Sequence, residues 1–596
     1  MVRKRRQSPR ASSNQWYTMD LHIHTPASND YQQPGVTMLD ILKEAERRKM
    51  DIIALTDHNT VTGYRRMLEE IEDLELLERL KRMTPEEAQR LAEYRSLLSK
   101  LLVLPGFEFT ATLGFHILGI FAPDTPVREL EFLLRALRIP PDLLDAGATE
   151  VGATVDVLTA YRLINEAGGL VIAAHANSTH GVALQGLGFG GQTRIAYTQD
   201  PHLHALEVTD LDKRGPKTTA RFFDGSKPDY PRAMRCIQGS DCHRLTRDPQ
   251  NPRHLALGDR ATEVLLREKS FAALREVFLL DDMALTRPYR PEAAHPFDHI
   301  QAAREQGPSI VQDFHEQYSK RGGYLDAIIH DVCAFANTNG GTLYIGLARD
   351  PRKAPQGLNA PTRVIQTLRD EIAAAITPEL EVTLDVQETQ GAKVVRLIVP
   401  RGPEPPYAVN ENQIYIRSEN ETTLAVRDEI VELVKRGLEV AAPPVAEEPS
   451  APAELASDTP PVSAAPEADT PAPAIEPPRT GVEIIEVSER GNTRYYTMHD
   501  LRNGSLVKNV TLRSARRLWR YAIQEMTENP VKPEQVRWLG EIGLWKRREY
   551  GDLVRYDLVQ RTPQGLRVYY GVTEQGLHGP WMALISSAGE SGTTSA

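Results

Sequence analysis

His22 and His24 stand two residues apart in the stretch Asp20-Leu21-His22-Ile23-His24-Thr25. On an extended strand, side chains two apart share one side, so the two imidazoles would face one site while Leu21 and Ile23 face a core. Neutral imidazoles presented in this way suit Zn, Mn or Fe. The pair by itself is weak evidence, because His202 and His204 form a second one. Its weight comes from its company: residues of ligand type recur at the borders of successive short apolar runs. His24 closes the first run, Asp57 and His58 follow 52–56, and Glu108 ends the run that begins at Leu101. His116 opens His-Ile-Leu-Gly, His175 follows 170–174, and Asp241 and His243 follow 235–240. One such residue arises easily by chance, and a whole series does not. The chemistry that such a series serves is hydrolysis by metal-activated hydroxide, with no serine or cysteine nucleophile required.

The elements that must position these residues are short strands alternating with amphipathic helices. Strand-like runs fall at 17–24, 51–56, 101–109, 116–121, 170–175, 205–208 and 234–239. Helical patterns lie between them: 37–49, opened by a Thr-x-x-Asp cap; a charged two-helix insertion over 64–100; and 154–166, closed by Gly168. This alternation predicts an α/β fold, a parallel sheet or barrel, with chemistry gathered at the C-terminal ends of the strands.

The ordered set DLHIHT, TDHN, PGFEFT, HILG, AAHAN and GSDCH resembles the PHP (polymerase and histidinol phosphatase) domain over residues 16–290, and the tail GDRATEV with SFAALREVF is similar to that family's closing helix. The resemblance implies a distorted seven-stranded barrel that hydrolyses phosphoesters with two or three divalent ions, Mn, Zn or Fe. Carried over by position, His22, His24, Glu108 and Asp241 would hold one ion, and Glu108 would bridge to a second held by His116 and His175. His58 and His243 would hold a third together with Asp30. Asp57 is expected to orient a ligand from behind, and Arg244 to meet a substrate phosphate through its guanidinium fork. His180, His202 and His204 lack the strand-end setting and are expected in loops or at substrate. Cys242, between Asp241 and His243, should turn away from the ions.

A second resemblance covers 296–440. The stretch HDVCAFANTNGGTLYIG over 330–346, followed by ITPEL, VVRLIVPRG, PPYAV and QIYIRSEN, resembles the Schlafen AlbA-like divergent domain, an α+β family associated with binding DNA or RNA. Many members carry Glu-Phe-Lys where this chain has Asp313-Phe314-His315, so binding is carried over and nuclease chemistry is not. Arg349, Arg352, Lys353 and Arg417 are the candidate phosphate contacts.

The whole chain of 596 residues, 41% hydrophobic and 25% charged, is long enough for several domains, and its net charge of -11 argues against wholesale coating of nucleic acid. The first ten residues hold five basic side chains with no apolar run behind them, and no stretch approaches a membrane span of about 20 apolar residues. Three cysteines without a C-x-x-C pair give a reduced, cytoplasmic profile. Residues 1–15 are expected to be a disordered basic tail and 586–596 a disordered end. Over 441–480, eleven prolines and seven acids with a single basic residue predict a disordered linker and hence a tethered last domain. That domain, 481–585, is a small α+β module holding four of the five tryptophans; Arg513, Arg516, Arg517, Trp519 and Arg520, with Trp545, Arg547 and Arg548, could form a face for stacking and phosphate binding. The expected activity is that of a metal-dependent phosphoesterase acting on nucleic acid or a nucleotide; the alternative is a non-catalytic nucleic-acid-linked regulator or defence protein whose barrel senses a nucleotide.

Overall fold

The computed structural model describes residues 14–149, 155–178, 180–183, 191–213, 215, 217–227, 229–248, 251, 254–290, 297–441, 475–490, 493–501, 505–512, 515, 517–550 and 553–586. The basic tail, the C-terminal end, most of the proline-rich linker, and Arg513 and Arg516 therefore lie outside the described residues. The chain divides into two compact units: one comprises 1–318, 341–365 and 383–400, the other 319–340, 366–382 and 401–596. Among the described residues no helix is long and apolar enough to cross a membrane.

The first unit is built on a nine-stranded sheet of order β7-β6-β5-β4-β3-β2-β1-β8-β9. Its strands are β1 (Gln15–Ile23), β2 (Ile52–Leu55), β3 (Leu102–Thr110), β4 (His116–Ile120), β5 (Leu170–Ala173), β6 (Ala205–Glu207), β7 (Arg235–Ile237), β8 (Thr262–Leu266) and β9 (Thr286–Pro288). All seven expected strands are present, and β8 and β9 add two more, antiparallel, beyond β1. The strands are not uniformly parallel either: β4 opposes both β3 and β5. Beyond β7 the chain returns to the far half of β1, where the Asp241 N–H donates to His22 O at 3.0 Å and the His24 N–H to Cys242 O at 3.1 Å, so the sheet nearly closes into a barrel.

Helices pack outside. Helix Met38–Arg47 starts at Thr37 with a complete capping box to Asp40, and the insertion forms two helices, Thr62–Arg79 and Pro85–Lys100. Their buried Ile41, Leu42, Tyr64, Leu91 and Tyr94 join Ile53 and Val103 in one core. Met19, Leu21, Ile52, Ala54, Leu104, Leu118 and Ile172 form another with helix Phe271–Leu279. Each such aliphatic side chain contributes roughly 1.5–3 kcal/mol on burial.

The same unit carries a four-stranded sheet of order β10-β11-β14-β13, made of β10 (Gln312–His315), β11 (Gly341–Ile345), β13 (Thr383–Thr389) and β14 (Ala392–Val399), with β12 (Ile376–Thr377) falling between them in the chain. Arg396 on β14 fastens it, reaching Asp282 at 2.7 and 2.8 Å and Asp385 at 2.5 Å.

In the second unit, helix Tyr324–Asn337 ends in the Asn337 of the AFANTNGG stretch. The Asn337 amide donates to Tyr407 O at 2.8 Å and Tyr415 O at 2.9 Å and accepts from the Tyr407 N–H at 2.7 Å. It thereby ties the helix to β15 (Ala408–Val409) and β16 (Tyr415–Ser418), the latter paired with β17 (Glu421–Leu424).

The last domain is a seven-stranded antiparallel sheet of order β20-β19-β18-β24-β23-β22-β21, comprising β18 (Val482–Arg490), β19 (Thr493–Asp500), β20 (Ser505–Val510), β21 (Arg537–Leu539), β22 (Ile542–Tyr550), β23 (Leu553–Thr562) and β24 (Gly565–Thr573). It contains the same unit twice. Strands beginning at Val482, Thr493 and Ser505 recur at Ile542, Leu553 and Gly565, each 60 residues on, and each set is followed by a helix. The helices take opposite faces: Trp519 and Tyr570 belong to one core, Trp581 and Tyr569 to the other. The end of the linker packs here rather than staying free, since Trp581 Nε1–H donates to Glu476 O at 2.8 Å and the Gln560 amide to Ile475 O at 2.9 Å.

Candidate metal centre

The barrel brings together, at one end, the nine residues expected to hold metal. Glu108, fully buried on β3, lies at the middle. Its Oε1 is 2.9 Å from His116 Nδ1, 3.1 Å from His175 Nε2 and 3.4 Å from His22 Nε2; its Oε2 is 2.8 Å from His58 Nδ1 and 3.5 Å from His24 Nε2. Asp241 Oδ1 stands 3.4 Å from His22 Nε2 and 3.5 Å from His24 Nε2. Asp30 Oδ2 lies 3.3 Å from both His58 and His243. Three sets have all their donor atoms within 4.8 Å of one another: His22, His24 and Asp241; Glu108, His116 and His175; and His24, His58 and His243.

Local folding explains the convergence. His116 begins its strand whereas Glu108 and His175 lie at the ends of theirs; because β4 runs antiparallel, its start lies at the same rim as the ends of β3 and β5. A register shift between Asp20 and Ile23 interrupts simple alternation along β1, so Leu21 and Ile23 enter different cores while both histidines reach the centre. His175 and Asp241 adopt positive φ, +28° and +51°, a backbone cost that non-glycine residues bear where the surrounding structure holds them.

The donor chemistry fits a cation. His24 Nδ1 is 2.9 Å from Ser28 Oγ, and that hydroxyl donates to Asp57 Oδ1 at 2.8 Å. Ser28 can then only accept, so His24 carries its proton on Nδ1 and offers a bare Nε2. His22 Nδ1 is 2.7 Å from the Glu207 carboxylate, so in the neutral ring its Nε2 is bare as well. With both rings neutral the two bare nitrogens face each other at 3.2 Å with no proton between them, a contact that a cation would satisfy. His58 Nδ1 and Glu108 Oε2 are both buried and lack hydrogen-bond geometry despite their approach. The field points the same way. Burial alone would lower the His58 imidazole, but Glu108 and Asp30 outweigh it and drive it up to about 10. Burial would raise the Asp30 carboxyl, and His243 and His58 hold it well below the carboxylate range.

Asp57 sits where orientation was expected of it: its oxygens take the Thr25 N–H at 2.7 Å, the Thr25 hydroxyl and the Ser28 hydroxyl at 2.8 Å. Through Ser28 it acts on His24. A side chain at Gly63 would strike Asp57 Oδ2 at 2.2 Å, which is why the helix can start so close to this pair. Arg244 is turned to Asp248 at 2.9 Å, an ion pair that a phosphate would have to compete with. Cys242 is buried in an apolar core, and burial pushes its thiol well above the usual range. His202 pairs with Asp200, and His204 Nδ1 accepts the Val171 N–H at 2.9 Å; neither belongs to the centre. His180 stacks on His116 with ring centroids 5.2 Å apart. Sequence reasoning missed Glu207, whose only signal was an acidic residue at the end of one more apolar run.

Among the expected phosphate contacts, Arg352 and Lys353 are exposed, on a loop whose carbonyls at Asp350 and Lys353 cap the buried Arg304. Arg349 binds the buried Asp313 at 2.7 Å. Arg417 is a correction: its side chain is 0% exposed, paired with Asp331 at 3.2 Å, bonded to Thr422 and stacked over Phe335, so it holds the fold together and offers nothing to a ligand. In the last domain Trp519 is core, and Arg548 is drawn to Glu525, which engages it away from the expected stacking face.

No curated protein sequence matches the chain. Among solved structures, a lesion-specific endonuclease from Pyrococcus furiosus is 14% identical, with 44% of this chain aligned to 56% of that one at a TM-score of 0.29. A two-domain protein from Bacteroides vulgatus containing a predicted PHP-like metal-dependent phosphoesterase is 19% identical, over 48% of this chain and 69% of that one, at a TM-score of 0.27. This chain thus spans little more than half the length of the endonuclease. Residues 311–426 match the model of the family described as Schlafen, AlbA_2.

Proposed function

We propose that the barrel is a metal-dependent phosphoesterase acting on nucleic acid or a nucleotide, with the Schlafen, AlbA_2-like segment engaging the polymer. One observation carries this reading: a buried carboxylate, Glu108, ringed by imidazoles from separate strands, two of which turn their Nε2 atoms to each other at 3.2 Å. His22, His24 and Asp241 would hold one divalent ion, Glu108, His116 and His175 another, and His58 and His243 with Asp30 a third. Bound there, such ions lower the pKa of water and offset charge on phosphoryl oxygens. The chain's own part is to hold the donors rigid: Asp57 and Ser28 fix His24, and Glu108 spans the sets. Arg352 and Lys353 supply sequence-independent attraction to phosphates.

The test is turnover of a phosphoester panel, RNA, DNA and 3',5'-bisphosphate nucleotides, with Mn or Zn supplied. His22→Ala and Asp241→Asn should each lower turnover by roughly 100-fold or more. Turnover in both variants equal to that of the parent chain would refute the assignment.

A further inference from the structure

We infer that Glu207 is a positioning residue of the centre: it fixes His22 with Nε2 toward a metal ion and makes the His22 set the tighter-binding part of the centre. This rests on the metal-centre reading above. Glu207 ends β6 and is 1% exposed. Its Oε2 lies 2.7 Å from His22 Nδ1, and its Oε1 is buried without a hydrogen-bond partner. The negative charge is therefore directed at one imidazole. Gly239 makes the approach possible, because a side chain there would meet His22 Cβ at 2.9 Å and the Glu207 carboxyl carbon at 3.4 Å.

His24 is supported differently, and the comparison decides the ranking. Behind His24 stands a neutral hydroxyl, Ser28, with the Asp57 charge one step further back. A carboxylate directly on Nδ1–H makes an imidazole a more basic donor than a hydroxyl does, because a charge-assisted hydrogen bond is roughly twice as strong. The motif's two histidines are thus unequal. An ion held by His22, His24 and Asp241 should be retained when one held by His58, His243 and Asp30 is already exchanging.

The experiment strips the full chain with a chelator, titrates it with Zn or Co(II), and reads ions per chain by mass spectrometry, affinities by chelator competition and the Co(II) visible spectrum. The parent chain should show a tight and a weaker class. Glu207→Gln preserves shape and removes the charge; it should weaken the tight class about 10- to 100-fold and shift its Co(II) bands, the class that His22→Ala loses. Ser28→Ala, which removes only a neutral hydroxyl behind His24, should weaken that class less than Glu207→Gln does. If Glu207→Gln binds every ion as the parent does, with an unchanged spectrum, the inference fails; a loss in Ser28→Ala as large as that in Glu207→Gln would also overturn it. Should Glu207→Gln not fold, Glu207→Asp, too short to keep the contact, is held to the same criterion. A parent chain that takes up no ion at all refutes the metal-centre reading itself, so the two failures are distinguishable.

Discussion

Removing the guanidinium of Arg417 would take that cation from the Asp331 carboxylate, whose side chain is only 7% exposed. Breaking a buried ion pair from one side costs about 3–5 kcal/mol, so Arg417→Ala should lower the denaturant midpoint of the second unit by a corresponding amount. Arg352→Ala and Lys353→Ala remove exposed charges and should leave stability within about 0.5 kcal/mol while reducing the salt dependence of polynucleotide binding by about one ion each. A binding assay over a salt series beside the unfolding curves separates the two kinds of arginine. Sequence alone ranks them alike, because arginine is mostly exposed and the partners of Arg417, at positions 331 and 422, are distant or unremarkable in the text. Glu207 was hidden for the opposite reason: it belongs to no motif, and its importance comes from His22, 185 residues away.

At the scale of elements, the short strands were legible because apolar runs and ligand-type residues coincided, as at 52–58 and 170–175. Strand direction was not, since β4 has the same apolar pattern whichever way it runs, and only pairing distinguishes the two. The junction of β5 and β6 gives a pH prediction. Burial holds His204 down to about 4, and its Nδ1 accepts the Val171 N–H, a bond that the protonated ring could not make. Its folded value lies below the ordinary 6.5. The unfolded chain therefore takes up a proton between pH 6.5 and 4 that the folded chain refuses. This contribution is complete above 6.5 and is lost as pH falls through that window, by at most about 3 kcal/mol. His204→Asn, which keeps an acceptor and cannot titrate, should flatten that part of the stability profile; equilibrium unfolding at pH 4.5 and 7.5 measures it.

For the whole molecule, a filled centre would tie β1, β2, β3, β4, β5 and the segment after β7 at one rim of the barrel. An ion present at 100 times its dissociation constant adds about 2.7 kcal/mol to the state that binds it. Chelation should therefore lower the unfolding temperature of the first unit and leave that of the second unchanged, which calorimetry of the full chain resolves as one moving and one fixed transition. The division of labour along the chain was visible in composition, with the ligand series early and the proline-rich stretch late. The doubling of the last domain was not, because its copies share strand spacing more than residues: Tyr496 of β19 recurs as Tyr556 in β23, but Thr497, His499 and Asp500 stand where β23 has Asp557, Val559 and Gln560.

That doubling has a consequence for self-association. The copies join by the first strand of one, β18, against the third strand of the other, β24. Such a head-to-tail joint does not close on itself, and a further copy could in principle extend it from either edge into a growing ribbon. Both edges are stopped. The short strand β21, Arg537–Leu539, lies along β22 and covers the side where the next copy would dock. On the other edge the Lys508 N–H of β20 is already taken by Asp428 Oδ2 at 2.9 Å. Three residues at one end and one carboxylate at the other occupy the places where a further copy of the unit would have to pair.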